Sequence, residues 1–216
     1  MSLPPAYLPL DYDGFPGPVV VFEGVSGIGK TTLASTVTQR LNATSLNATS
    51  LHTLPLPHSE WSSMANSCLR SLPQLAFYLS GVLHASDSIR RSRMIGPVVA
   101  DRYVSSVIAC HAAVHGVAVE TVTRLLEPYR PYLVEPTHTF YLRCAESVLR
   151  ERMARKHDLK QDDTELFTVP GRLAGLLANF EAVSAADPTA VVIDTDDRTP
   201  EELADCVIAR LESGGA

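Results

Sequence analysis

The sequence predicts an α/β fold in three layers, with a central parallel sheet of about five strands between helices. Three observations predict it. Short apolar runs recur along the chain with helical segments between them: Val19-Val20-Val21-Phe22, Val98 to Ala100, Thr139 to Leu142 and Val191-Val192-Ile193. Strands that alternate with helices pair in parallel through right-handed crossovers. The first run ends at a glycine-rich turn, as a buried strand feeding a helix does. Finally, 216 residues at 45% hydrophobic and 19% charged supply core for one such domain and no second one.

The elements follow in order. Residues 1–18 hold five prolines and few periodic apolar positions, and read as an N-terminal arm; residues 19–216 form the domain. After the first strand a helix runs from Lys30 to about Leu41. The duplicated "LNATSLNATS" is too short to build a repeat architecture and reads as a surface loop. A strand is expected near Ser50 to Leu54, closed by Pro55 and Pro57. Helices are expected over Glu60–Arg70, Pro73–Met94, Glu146–Lys156 and Arg172–Ser184, with a proline-rich turn at Glu127–Pro131 and a polar stretch at His157–Thr164. Thr199 caps the last helix, Pro200 suits its first turn, and Glu202 closes a capping box.

Composition excludes several classes. No apolar run is long enough to span a bilayer, and the proline-rich start does not read as a secretory signal. Cys68, Cys110, Cys144 and Cys206 are scattered, against a zinc site or disulfide framework and in keeping with a cytoplasmic setting. The net charge of -6 speaks against nucleic acid as a partner. Small anionic ligands remain open, because a local arginine cluster binds them whatever the net charge.

"GVSGIGKT", Gly24 to Thr31, matches G-x-x-x-x-G-K-[ST] in full, between a predicted strand and a predicted helix. Glycines turn the backbone so that its N–H groups face phosphate oxygens, and the helix adds the positive end of its dipole. The expected nucleotide-binding set is Gly24, Ser26, Gly27, Gly29, Lys30, Thr31 and Thr32. Lys30 reaches the β- and γ-phosphates of ATP, and the Thr31 hydroxyl is a Mg²⁺ ligand.

"FEGVSGIGKTTL", "DRYVSSVIA", "FYLRCAESVLRERMARK" and "VIDTDDRTPEEL" stand in the order and spacing of thymidylate kinases, which the chain resembles from Val19 to Leu211. These belong to the nucleoside-monophosphate kinases and are close cousins of the deoxynucleoside kinases. The resemblance implies a P-loop kinase fold with a helical lid over about residues 150–168. It implies Asp101 near Mg²⁺, Arg102 on the phosphates being joined, Arg152 and Arg155 as lid arginines, and a homodimer. Lys30, Asp101, Arg102, Arg152 and Arg155 are the catalytic set; Thr31 and Asp101 are the metal set.

The acceptor side departs from that family. Cys110-His111 replaces a tyrosine and glutamine, Gly81 or a neighbour replaces a base-gripping arginine, and Ser26 replaces a P-loop acid. "LPLPHSEW" lacks the second-strand arginine. A roomier pocket near Gly81 is expected. The acceptor set is Glu23, His58, Phe77, Tyr78, Gly81, Arg102, Ser106, Cys110 and His111. The expected activity is transfer of the ATP γ-phosphoryl group to a nucleoside monophosphate or analogue. One alternative is a hydroxyl acceptor, a nucleoside or an antibiotic-like compound, with Glu23 the best-placed general base. The other is a non-catalytic nucleotide-binding module.

Overall fold

The computed structural model describes residues 16–43, 48–52, 54–156 and 161–213, together with Leu8. Five strands form one parallel sheet: β1 (Val19–Glu23), β2 (Thr49–His52), β3 (Val98–Asp101), β4 (His138–Arg143) and β5 (Ala190–Asp194), in the order β2-β3-β1-β4-β5. β1 is the centre, with Phe22 beside Asp101 on one flank and beside Phe140 on the other. It is wholly buried, which explains why "VVVF" shows no polar alternation. The chain leaves β1 for one side of the sheet and later crosses to the other. The C-terminal end of β1 is therefore the switch point, where α/β sheets open a ligand crevice.

The helices are α1 (Lys30–Ala43), α2 (His58–Cys68), α3 (Ser71–Ser92), α4 (Val104–His115), α5 (Val119–Leu126), α6 (Glu146–Ala154), α7 (Gln161–Thr168), α8 (Arg172–Ala186) and α9 (Pro200–Ser213). Outside the sheet the main helix contacts are α1 with α9 and α4 with α8. The expected capping box forms: the Thr199 N–H donates to Glu202 Oε2 at 2.8 Å, and the Glu202 N–H donates to Thr199 Oγ1 at 3.2 Å.

Three boundaries differ from expectation for local reasons. β2 stops at His52, short of Leu54, and Thr53 lies outside the described residues. The proline-rich turn at 127 tightens into a 3-10 segment, Glu127–Tyr132, since Pro131 cannot donate to an α-helical ladder. The polar stretch after α6 is helical from Gln161 onward; the Lys156 ammonium meets buried Asp163 at 2.6 Å across it. The rest of that stretch, 157–160, lies outside the described residues, as do most of the N-terminal arm and part of the duplicated loop. Where the arm joins the body, the Gly17 N–H donates to the Arg93 carbonyl at 2.6 Å.

Candidate active site

The glycine-rich loop joins β1 to α1 at the switch point. Gly24 sits at φ 137°, and a Cβ there would stand 2.8 Å from the Leu142 carbonyl oxygen. Only glycine lets the loop both turn and pass this close to β4. Lys30 opens α1 but turns back, its ammonium donating to the Val25 carbonyl at 2.6 Å inside the loop. Burial pushes its pKa down to about 7, with the Arg102 guanidinium adding to the fall and Asp101 and Glu23 opposing it. A buried cation with little counter-charge favours an anion beside it.

β3 brings in the acid and the arginine. Thr31 Oγ1 donates to Asp101 Oδ2 at 2.5 Å, so hydroxyl and carboxylate stand together although 70 residues apart in sequence. A cavity of about 350 Å³ between α1 and β2 ends on this pair. Both groups are hard oxygen donors, the chemistry Mg²⁺ takes when it arrives with phosphates. Among the described residues no cluster of three or more His, Cys, Asp or Glu could hold a metal ion.

Arg102 follows at φ 70°, a left-handed backbone that non-glycine residues seldom adopt. Its N–H reaches back to the Phe22 carbonyl at 2.9 Å, and Nη1 donates to Gly24 O and Ser106 Oγ, both at 3.1 Å. The strain sets the guanidinium over the loop.

Glu23 is the last residue of β1 and completely buried. Oε1 accepts from the Tyr103 and Ser106 N–H groups at 2.8 and 3.2 Å, and Oε2 accepts from the Ser106 hydroxyl. Burial pushes its pKa up, against these hydrogen bonds. As a general base for a hydroxyl acceptor, Glu23 is a poor fit: it is spent on fixing the first turn of α4, and so the site of Arg102. In this conformation it acts as a strut.

The two expected lid arginines part company. Arg152 is half-buried and tied into the body: it donates to Ile28 O at 3.2 Å, and to Thr195 Oγ1 and Thr195 O at 2.8 Å each. Arg155 is exposed and, among the described residues, paired with Glu151 at 2.6 Å. Thr195 was not singled out from the sequence. It lies within the quoted "VIDTDD", and its position just past β5 was the available signal.

On the acceptor side, the space at Gly81 is filled, contrary to expectation. A Cβ there would meet Leu54 Cδ2 at 2.6 Å and the His58 ring at 3.4 Å. His58 Nε2 bonds Ser80 Oγ at 2.8 Å, and its ring lies 5.5 Å from Phe77 and 5.9 Å from His84. Phe77 stands edge-on to Tyr78 at 5.4 Å, and the Tyr78 hydroxyl donates to Asn66 at 2.7 Å. His111 is buried against His115 at 4.5 Å; His115 is held by Gln74 at 2.7 Å. Burial pushes the His111 pKa down to about 4, and His58 is lowered by burial and then by His84. Both imidazoles are neutral near pH 7. Cys110 is half-buried, close enough to Lys30 to act on its titration. Trp61 is 62% exposed.

A parallel five-stranded sheet, a phosphate loop at its switch point, and an acid–arginine pair on the neighbouring strand define a P-loop phosphotransferase acting on nucleotides. The family model of thymidylate kinase matches residues 22–203. The chain belongs to the thymidylate kinase family, and is an ATP-dependent nucleotide kinase; the family uses ATP with Mg²⁺. The fold is shared with thymidylate kinase from Candida albicans (TM-score 0.72, 17% identity, 92% of each chain covered). It is shared also with that of Ehrlichia chaffeensis (TM-score 0.65, 20% identity, 92% of this chain and all of the other). No curated protein sequence gives a significant match. Among the described residues no helix is long and apolar enough to cross a membrane.

Proposed function

We propose that the chain moves the γ-phosphoryl group of ATP to a nucleoside monophosphate of the thymidylate type, or an analogue, in an acceptor pocket that departs from its family. The observation that carries this is the Lys30 ammonium, buried and directed at a carbonyl inside the phosphate loop. In this reading the triphosphate displaces that contact. Lys30 then binds the β- and γ-phosphates, the loop N–H groups from Gly24 to Thr32 line the remaining oxygens, and Arg102 bridges donor and acceptor phosphates. Thr31 and Asp101 would hold Mg²⁺, which would supply neutralisation of charge on the transferring group. The acceptor oxygen forms its bond to the γ-phosphorus as the bond to the β-γ bridging oxygen breaks; the products are ADP and the phosphorylated acceptor. Arg152, held beside the phosphate loop by Ile28 O and Thr195, and Arg155, carried by the lid of about residues 150–168, face the phosphates as the lid closes and shuts out water.

The acceptor set of His58, Phe77, Tyr78, Gly81, Ser106, Cys110 and His111 has one feature favouring a second reading. Between Arg70 and Arg90 the chain has no lysine or arginine, and the imidazoles of His58 and His111 on the helices beside that stretch are kept neutral by burial. A nucleoside-like hydroxyl acceptor needs fewer cations than a monophosphate does. The relative from Candida albicans is itself described as having broad substrate specificity. A cytoplasmic homodimer is part of the proposal: Trp61, Met64 and Leu72 are exposed on α2 and the start of α3, and a second copy would cover them. Sedimentation equilibrium checks the dimer. Coupled measurement of ADP release tests the function: release should require both ATP·Mg²⁺ and an acceptor, and stop in Lys30→Ala. ADP release that never responds to any nucleotide or nucleoside would overturn it.

A further inference from the structure

We propose that the slot between α4, α5 and α8 is a second ligand site, for a small molecule with a flat apolar body and a hydrogen-bond-donating head, and that its occupancy is felt at Arg102. The slot has a volume of about 460 Å³, within the ~300–1,000 Å³ range of small-molecule pockets. It is distinct from the acceptor side. Val104, Ser105 and Ile108 turn one face of α4 to it, while helical spacing puts Ser106 and Cys110 on the opposite face.

Its chemistry is unusual for the space between a sheet and its helices. The walls are apolar, Val21, Val104, Ile108, Val119, Leu133 and Val183, but the inner end is polar. Glu23 and Thr139, 0% and 2% exposed, face it from β1 and β4. The Tyr141 hydroxyl meets Ser105 Oγ and donates to Asp187 Oδ2, each at 2.8 Å. Thr139 and Thr189 pair through their hydroxyls at 2.7 Å. Cavities that stay empty are apolar, and polar ones hold water or a ligand.

The head group follows from the oxygens present. Asp187 Oδ1 accepts twice from Thr189, whereas among the described residues Oδ2 accepts from Tyr141 alone, and a carboxylate oxygen has room for two. Two carboxylates, Glu135 and Asp187, face the slot with one lining cation, Arg130; Glu23 has both oxygens on Tyr103 and Ser106 and lies in the field of Arg102. An amine or hydroxyl head fits this field; a phosphate or carboxylate is repelled. The substrates of the kinase site are therefore excluded from it.

The link to the phosphates is one residue deep. Glu23 forms part of the slot wall, and its carboxylate holds Ser106, whose Oγ accepts from Arg102. Arg102 is in a strained backbone conformation that its neighbours must maintain. A ligand that shifts the first turn of α4 shifts these bonds.

Calorimetry on the full chain with phenethylamine, 2-phenylethanol and phenylacetate tests this, since the three share a plain phenyl ring and differ only in the head. Phenethylamine and 2-phenylethanol should bind one per chain, and the acid at least ~10-fold more weakly. Ala186→Trp and Thr123→Trp, both at the rim, should weaken phenethylamine binding ~10-fold or more with ATP affinity unchanged. Bound phenethylamine should change kcat by ~5-fold or more. Backbone NMR shifts on the wild type give a readout independent of the variants, and should centre on Ile108, Thr123 and Val183. Absence of saturable binding by all three compounds, equal affinity for the acid, or shifts centred elsewhere would overturn the site. Binding without any change in kcat would overturn the link to Arg102. Calorimetry needs no turnover, so failure here and failure of the kinase reading are separable.

Discussion

From Gly24 to Thr32 the nucleotide half of the proposed active site is one continuous stretch, closed by Asp101 at the end of β3 and Arg102 just past it. The proposed acceptor half is drawn from α2, α3 and α4, and its polar groups are the His58 and His111 imidazoles, the Tyr78 and Ser106 hydroxyls and the Cys110 thiol. In the first half charge is concentrated and under-compensated: the Lys30 pKa is pushed down to about 7. In the second, charge is avoided: His111 is pushed down to about 4 and stays neutral. A site built to receive a triphosphate keeps cations waiting at a cost in desolvation. A site that reads an acceptor through neutral groups relies on shape and single hydrogen bonds, and is easily retuned by substitution.

The largest expected effect sharpens that contrast. Lys30→Ala should lower kcat by ~10²-fold or more while moving the melting temperature by less than ~4 °C, because the ammonium bonds only a loop carbonyl in the free protein. Circular dichroism and steady-state rates check it; full activity in a folded variant would break the nucleotide half of the comparison.

Proton linkage comes next. A triphosphate beside Lys30 restores its cationic form, so ATP binding should take up a proton above pH 7. Below about 7 the lysine is already charged in the free protein and uptake vanishes. Titrations at pH 8 in buffers of different ionisation enthalpy should show uptake in the wild type and none from this group in Lys30→Ala. Equal heats after correction in both proteins would refute the assignment.

Arg152 and Arg155 separate two roles that sequence spacing had merged. Arg152→Ala should cost ~1–3 kcal/mol in urea unfolding, because it strips donors from Ile28 O and Thr195 O, and should lower kcat as well. Arg155→Ala should leave stability within ~1 kcal/mol, as an exposed pair does, and act on kcat rather than on the Michaelis constant for ATP. Equal stability losses in the two would show that the ties to Thr195 do not matter.

How much of this was legible follows the same division. The order of strands and helices and the phosphate loop were plain, because a buried strand, a glycine turn and a helix start are each encoded within a few residues. The Thr31–Asp101 pair was legible through motif order. Local pattern could not reveal what fills the space at Gly81. Leu54 and His58 reach it from 23 to 27 residues upstream, and an expectation of extra room was the natural error. What Glu23 binds was hidden for the same reason: the groups that occupy it, Tyr103 and Ser106, lie 80 or more residues on.

That lesson gives the smallest effect. Gly81→Arg alone should not raise turnover of dTMP, because the side chain collides with Leu54 and His58. The triple change with Leu54→Ala and His58→Ala opens the space and should raise it by a few-fold. A gain from Gly81→Arg alone would mean the pocket yields more than its packing suggests.

The central claim is an intact nucleotide half joined to a changed acceptor half. Its most direct test is kcat/KM with ATP and Mg²⁺ for dTMP, thymidine and larger nucleoside or nucleotide analogues, measured side by side. dTMP should fall below ~10⁵ M⁻¹s⁻¹ and be surpassed by at least one other acceptor. A value at or above ~10⁵ M⁻¹s⁻¹, higher than for every other compound, would contradict it and show that His58, His111 and their neighbours rebuild a full thymine site.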